Sequence, residues 1–182
     1  MPVLVRYAAF LRAINVGGRI VTMGRLRAIF EEAGLANVET FIASGNVVFE
    51  AAAKDPAALE ASIGRRLAGA LGYEVATFLR SMPELRAVAE HASFPARQEA
   101  AAHALYVAFL PAPPSAAAAK ALLACRSDVD DFAVRGREAY WLARVSMSKT
   151  TFTGAKLEKV LGMPATLRNV TTVRKMAARY TG

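Results

Sequence analysis

Three short stretches of the sequence hold residue types suited to gripping an anion. The first is Arg12-Ala13-Ile14-Asn15-Val16-Gly17-Gly18. Gly17 and Gly18 can adopt positive φ, which lets neighbouring backbone N–H groups converge into an anion nest. A helix starting just downstream adds the partial positive charge of its N-terminus. Arg12 brings a planar guanidinium able to clamp a phosphate or carboxylate with two parallel hydrogen bonds. The same residues also suit a plain strand-to-helix turn in which Asn15 bonds its own backbone. Neither a Walker lysine nor a dinucleotide-binding fingerprint accompanies them.

The second stretch, Ser44-Gly45-Asn46, has the composition of a hairpin turn. A nucleophilic Ser44 needs a base held beside it, and the two histidines, His91 and His103, lie far along the chain. Ligand contact through Asn46 fits better than catalysis, so no catalytic residue is assigned. The third stretch, Arg168-Asn169, precedes the last predicted helix, which Thr171, Thr172 or Asn169 itself can cap. On that helix Arg174, Lys175 and Arg179 lie opposite an apolar stripe. Lys156 and Lys159 sit one helix earlier, and the five together make a candidate basic surface.

Charge is spread unevenly. Of a formal +8, residues 1–90 contribute almost nothing, with ten Lys and Arg against nine Asp and Glu, whereas residues 135–182 hold ten against two. A basic tail of this kind attracts polyanions, so the expected partner is a nucleic acid or a phosphate-bearing ligand. The single cysteine, Cys125, excludes an intramolecular disulfide, and two histidines fall short of a zinc set. Asp128, Asp130 and Asp131 alternate in direction at a strand start and read as a solvated loop. No metal and no cofactor are expected. No stretch approaches the roughly 20 apolar residues of a membrane helix, and residues 3–11 read as a strand rather than a signal peptide. The expectation is a cytoplasmic protein with no membrane partner.

Apolar periodicity lays out the elements that must position these stretches. Residues 3–11 alternate between two faces and form the first strand. Thr22 caps a helix in which Met23, Leu26, Ile29 and Phe30 recur at helical spacing before Gly34. Residues 38–43 and 47–49 pair as strands around Ser44-Gly45-Asn46. Asp55-Pro56 opens a helix with Leu59, Ile63, Leu67 and Leu71 along one side, and residues 74–79 make a fourth strand. Ser81-Met82-Pro83-Glu84 is a capping box that starts a third helix. Residues 93–103 lack clean periodicity and read as a linker. The order then returns: a strand at 104–110, a helix after Ser115, a hairpin of 129–135 with 138–143, a helix at 156–161, a strand at 165–168 and an amphipathic helix carrying Val173, Met176, Ala177 and Tyr180. The chain is therefore α+β, with two ferredoxin-like βαββαβ halves, 1–92 and 104–182, each a mostly antiparallel sheet with helices on one face. The repetition lies in element order, not in residue identity.

The first stretch, followed by Thr40-Phe41-Ile42-Ala43-Ser44-Gly45-Asn46-Val47-Val48-Phe49, makes the chain resemble a bacterial family known as domain of unknown function 1697. Met23 and Leu26 match that family's Met-x-x-Leu helix, and Phe41 stands where Tyr is usual. Ala165, Thr166, Arg168, Asn169, Thr172 and Val173 match a third element, from which Leu167, Val170 and Thr171 depart. Val170 replaces a Trp and so removes an aromatic surface for stacking on a ligand. The resemblance implies a pair of ferredoxin-like subdomains and no particular activity.

The leading functional expectation is a cytosolic binding protein for a nucleic acid or phosphate-bearing ligand, using the motif loops and the basic tail. The Lys/Arg-Gly-aromatic motif of the best-known RNA reader of this fold is absent from every predicted strand. The alternative is a small-molecule enzyme with its site in the cleft between the halves, drawing on Arg12, Asn15, Ser44, Asn46, Arg168 and Asn169. Those residues supply no acid or base titrating near neutral pH. A third reading makes the motifs mere turns of an assembly protein, and it requires Asn15, Asn46 and Asn169 to be satisfied by local backbone.

Overall fold

Alternation of side chains along β1 (Val5–Leu11) organises the first of two units, Met1–Leu85. The computed structural model describes residues 1–42, 45–52 and 54–182. In the first unit β2 (Ala36–Thr40), β3 (Asn46–Ala51) and β4 (Thr77–Ser81) join β1 in an antiparallel sheet ordered β2-β3-β1-β4. Helices α1 (Met23–Glu32) and α2 (Pro56–Leu71) cover one face, where Leu26, Ile29, Phe30, Ile63 and Leu67 pack with Tyr7, Ala9, Leu11, Val47 and Phe49. Each such large apolar side chain contributes about 1.5–3 kcal/mol by leaving water. Local chemistry starts both helices: the Thr22 hydroxyl accepts the Arg25 N–H at 3.1 Å, and the Asp55 carboxylate accepts those of Ala57 and Ala58. On the opposite sheet face Ala8, Phe10, Val48, Phe78 and Arg80 are buried as well.

After β4 come α3 (Met82–Glu90), which crosses into the second unit, Arg86–Tyr180, and α4 (Ala96–Ala101). The second sheet contains β5 (Ala104–Phe109), β6 (Asp130–Arg135), β7 (Glu138–Ala143) and β8 (Thr166–Asn169) in the order β6-β7-β5-β8. Helices α5 (Ala116–Leu123) and α6 (Gly154–Leu161) close a core around Trp141, Phe132 and Phe152, and α7 (Val170–Tyr180) follows β8 as α3 follows β4. The expected pair of βαββαβ halves is present. No helix among the described residues is long and apolar enough to cross a membrane.

Three expectations need correction. Strand β4 extends two residues past Leu79, because Arg80 is buried within the sheet; a charged side chain ordinarily marks a strand's end. Residues 93–103 contain α4, an Ala-rich turn and a half too short to show an amphipathic stripe, and its Glu99 receives an ion pair from Arg174 at 2.6 Å. The repetition also reaches residue identity. Leu11 N–H donates to Gly45 O and Leu110 N–H to Arg137 O, both at 2.9 Å, and Ala8 faces Arg80 as Val107 faces Arg168. Aligned on those bonds, Tyr7-Ala8-Ala9-Phe10-Leu11 matches Tyr106-Val107-Ala108-Phe109-Leu110, and Leu79-Arg80 matches Leu167-Arg168. These identities fall in largely buried strands, and the one unlike pair within the five-residue match, Ala8 and Val107, is fully buried as well.

Candidate functional site

Beyond Leu11 the chain leaves the first sheet through a loop of unusual handedness. The Arg12 N–H still bonds Ala76 O at 2.9 Å. Then φ is +58° at Ala13, +62° at Asn15, +64° at Gly17 and +79° at Gly18, while Ile14 and Val16 between them stay out of the positive region. Alternation of left-handed residues with others is the pattern that an anion nest uses to turn successive N–H groups toward one side. Holding Ala13 there costs about 1–2 kcal/mol, so the surroundings must enforce it. Ile14 is buried and anchors the loop, the Asn15 carboxamide oxygen accepts the Val21 N–H at 2.6 Å, and Arg19 N–H donates to Val16 O at 3.2 Å. The N–H groups of Gly17 and Gly18 lie in an exposed segment and donate to no group among the described residues. Arg12 is exposed at the start of the same loop, and the Arg19 guanidinium sits 4.4 Å from the centroid of the Tyr73 ring.

The hairpin stretch packs onto this loop. Gly45 has φ +78°, and a Cβ there would lie 3.2 Å from Leu11 Cβ and 3.3 Å from Ile14 Cβ. Backbone handedness and space both demand glycine. Asn46 is buried; its amide donates to Phe41 O at 2.9 Å, and Phe41 N–H donates back to Asn46 O at 2.9 Å, which closes the turn. Ile42, exposed with φ +58°, carries the chain out of β2 earlier than its β-branched composition suggests. Ser44 lies outside the described residues. Arg12, Asn15, Gly17, Gly18, Gly45 and Asn46 thus gather at one end of the first sheet. The positive φ of Ala13 and Ile42 leaves no sequence signal, since neither residue type favours it.

Arg168 and Asn169 belong to the second unit. Arg168 is buried; its Nη1 donates to Thr166 Oγ1 at 2.7 Å and Leu167 O at 2.9 Å. Desolvation lowers its pKa to about 10, so it remains cationic at neutral pH. The Asn169 side chain accepts the Thr171 N–H at 2.9 Å and caps α7. The first unit has the same arrangement: Arg80 donates to Leu79 O at 2.7 Å, and Ser81 and Glu84 exchange the capping-box bonds that start α3.

The basic residues divide between two helices. Lys156 and Lys159 lie on α6, which packs into the Trp141 core, whereas Arg174, Lys175 and Arg179 lie on α7, which contributes nothing to that core. Arg174 is neutralised by Glu99 and also donates to Ala89 O. Lys156 lies 5.6 Å from the Phe152 ring centroid and Arg179 5.3 Å from that of Tyr180. Among the acids, Asp130 is not solvated as expected. It is buried, accepting the Trp141 Nε1–H at 2.7 Å and the Thr150 hydroxyl, while Asp131 pairs with Arg126 at 2.7 Å. No group of three or more His, Cys, Asp or Glu among the described residues is placed to hold a metal ion.

The family model described as "Protein of unknown function (DUF1697)" matches residues 4–140, a span that contains both first-unit motif stretches and stops short of Arg168-Asn169. No curated protein matches the chain. A solved structure of a conserved bacterial protein from Streptococcus pneumoniae is similar, with a TM-score of 0.76 over 99% of this chain and 100% of that one at 23% identity. At that identity the likeness is one of fold.

Proposed function

We propose that this chain, which belongs to the DUF1697 family, binds a phosphate-bearing ligand at the β1–α1 loop of its first unit. The observation that carries the reading is the run of positive φ at Ala13, Asn15, Gly17 and Gly18, which leaves the N–H groups of Gly17 and Gly18 exposed in the loop that Arg12 opens. Strain at a non-glycine residue such as Ala13 concentrates where a ligand is gripped. Asn15 and Asn46 serve by fixing the loop and its supporting turn. The basic tail supports the reading less, because Arg174 is already paired with Glu99. The described residues of the loop and turn include no side chain that titrates near neutrality, which favours binding over acid–base catalysis.

The test is titration of the full chain with inorganic phosphate and with a mixed single-stranded oligonucleotide at low salt. Losing one charge-assisted clamp costs about 1.5–3 kcal/mol, so Arg12→Ala should weaken phosphate binding by about 10–100-fold. Gly18→Ala should weaken it too, while a Lys156→Ala, Lys159→Ala, Lys175→Ala triple variant should leave it unchanged. Absence of binding by both probes, or affinity indifferent to Arg12→Ala, would sink the proposal. Steeply salt-dependent oligonucleotide binding that is lost in Arg12→Ala would extend it to nucleic acid.

A further inference from the structure

A groove of about 520 Å³ runs between α1 and α2 in the first unit, lined by Arg25 and Glu32 from α1 and by Ser62, Arg65, Arg66 and Gly69 among others from α2. The α2 residues follow helical spacing beside the buried stripe of Ile63 and Leu67, so the groove is the solvent-facing edge of the helix pair. Arg65 and Arg66 are exposed and form no ion pair or hydrogen bond with any described residue. Their neighbours three and four positions away, which include Ala61, Ser62, Gly69 and Ala70, contain no acid. The one acid of α2, Glu60, is engaged by the Leu79 N–H at 2.8 Å. Two other helical arginines have a local acid, Arg27 with Glu31 at 2.8 Å and Arg86 with Glu90 at 3.7 Å.

Gly69 adds an independent sign. Glycine is unfavourable inside a helix, and a Cβ at Gly69 would meet nothing within 4 Å, so packing does not require it. At Gly64, by contrast, a Cβ would touch Thr77 Oγ1 and Val75 O at 3.8 Å. Gly69 lines the groove without a side chain of its own.

We propose that this groove binds a phosphorylated polyol of the sugar-phosphate type, with Arg65 and Arg66 on the phosphate and Glu32 and Ser62 on the hydroxyls. Two adjacent unanswered guanidiniums match phosphate oxygens. Glu32, held 3.4 Å from Arg25, offers carboxylate oxygens that accept from hydroxyls and repel a second phosphate. The described lining has no aromatic ring on which a nucleobase would stack, and the volume suits a small ligand rather than bare phosphate.

The experiment is calorimetric titration of the full chain with glucose 6-phosphate, glucose, inorganic phosphate and adenosine monophosphate. Glucose 6-phosphate should bind at least about tenfold more tightly than the other three. The Arg65→Ala, Arg66→Ala double variant should lose that binding by about tenfold or more. Gly69→Leu should abolish it without lowering the melting temperature, because leucine is the better helix former and its Cβ enters open space. Arg12→Ala should leave it intact, which separates this groove from the β1–α1 loop. No heat with glucose 6-phosphate at millimolar concentration, equal affinity for phosphate or adenosine monophosphate, or undiminished binding in the double arginine variant would each overturn the inference.

Discussion

Replacing Gly45 by alanine tests whether the two first-unit motif stretches form one packed structure. The new Cβ would meet Leu11 Cβ at 3.2 Å, Ile14 Cβ at 3.3 Å and Leu11 O at 3.3 Å. None of these is the free end of a side chain. Leu11 and Ile14 are themselves buried, and the Leu11 N–H is bonded to Gly45 O, so retreat disturbs the end of β1. Overpacking of this kind costs about 1–3 kcal/mol, and forcing an L-residue to φ +78° adds about 1 kcal/mol. Gly18→Ala is the control. Its φ of +79° is the same, but its Cβ would have no neighbour within 4 Å, so only the dihedral penalty of about 1 kcal/mol applies. A chain of this length loses about 2–4 °C of Tm per kcal/mol, which predicts a fall of roughly 4–16 °C for Gly45→Ala against roughly 2–4 °C for Gly18→Ala. Thermal melts followed by circular dichroism read the difference. Equal shifts in the two variants would refute the docking of the hairpin onto the loop.

Two predictions concern the second unit. Asp130→Ala strips the buried acceptor from Trp141 Nε1 and Thr150 Oγ1, and two stranded donors cost about 2–4 kcal/mol together. Trp141 is the chain's single tryptophan, so its fluorescence should report an altered native emission and a lower urea midpoint, and an unmoved midpoint counts against the bond's importance. His91 has its pKa lowered from 6.5, first by partial burial and then by the Arg135 guanidinium, whose Nη1 lies 2.8 Å from His91 Nδ1. The folded state binds its proton less readily than the unfolded chain. This contribution to stability is therefore present above pH 6.5 and is lost as pH falls through the lowered value. A proton NMR titration should place the His91 midpoint below 6.5, and Arg135→Ala should raise it without fully restoring it, since burial persists. A midpoint above 6.5 contradicts the geometry.

Helix starts were legible because capping is local chemistry. Thr22, Asp55, Ser81 and Ser115 each bond the N–H groups their sequence positions promise. Where tertiary context decides, residue type alone misleads. Arg80 looks like a strand terminus until its burial in the sheet is known, and Asp130 looks solvated until Trp141 is seen to donate to it. The glycines of the candidate loop could be read as permissive, yet the handedness of Ala13 and Ile42 could not, because their side chains argue against it. The α1–α2 groove was half visible. Arg65-Arg66 without an acid at helical spacing is a sequence fact, but that Arg25 and Glu32 lie across from it depends on how two helices pack.

The internal repeat helps to sort architecture from candidate function. Features present in both units are what the fold itself needs: the Tyr-x-Ala-Phe-Leu strand, and the buried arginine followed by a capping residue in Arg80-Ser81 and Arg168-Asn169. By that logic Arg168 and Asn169 hold β8 and α7 in place. The units differ in how the first strand reaches its helix. The first uses residues 12–22 with four positive φ angles, whereas the second uses Pro111-Ala112-Pro113-Pro114 before the cap at Ser115. Proline lacks the N–H and fixes φ near −65°, so that connection cannot form a nest. The second helices differ as well, since α6 is eight residues long where α2 is sixteen and carries no adjacent arginines. Both proposed anion seats therefore lie in what is particular to the first unit, the one whose sequence is nearly neutral. Both proposals rest on backbone handedness and on Arg65 and Arg66, not on where the excess charge sits.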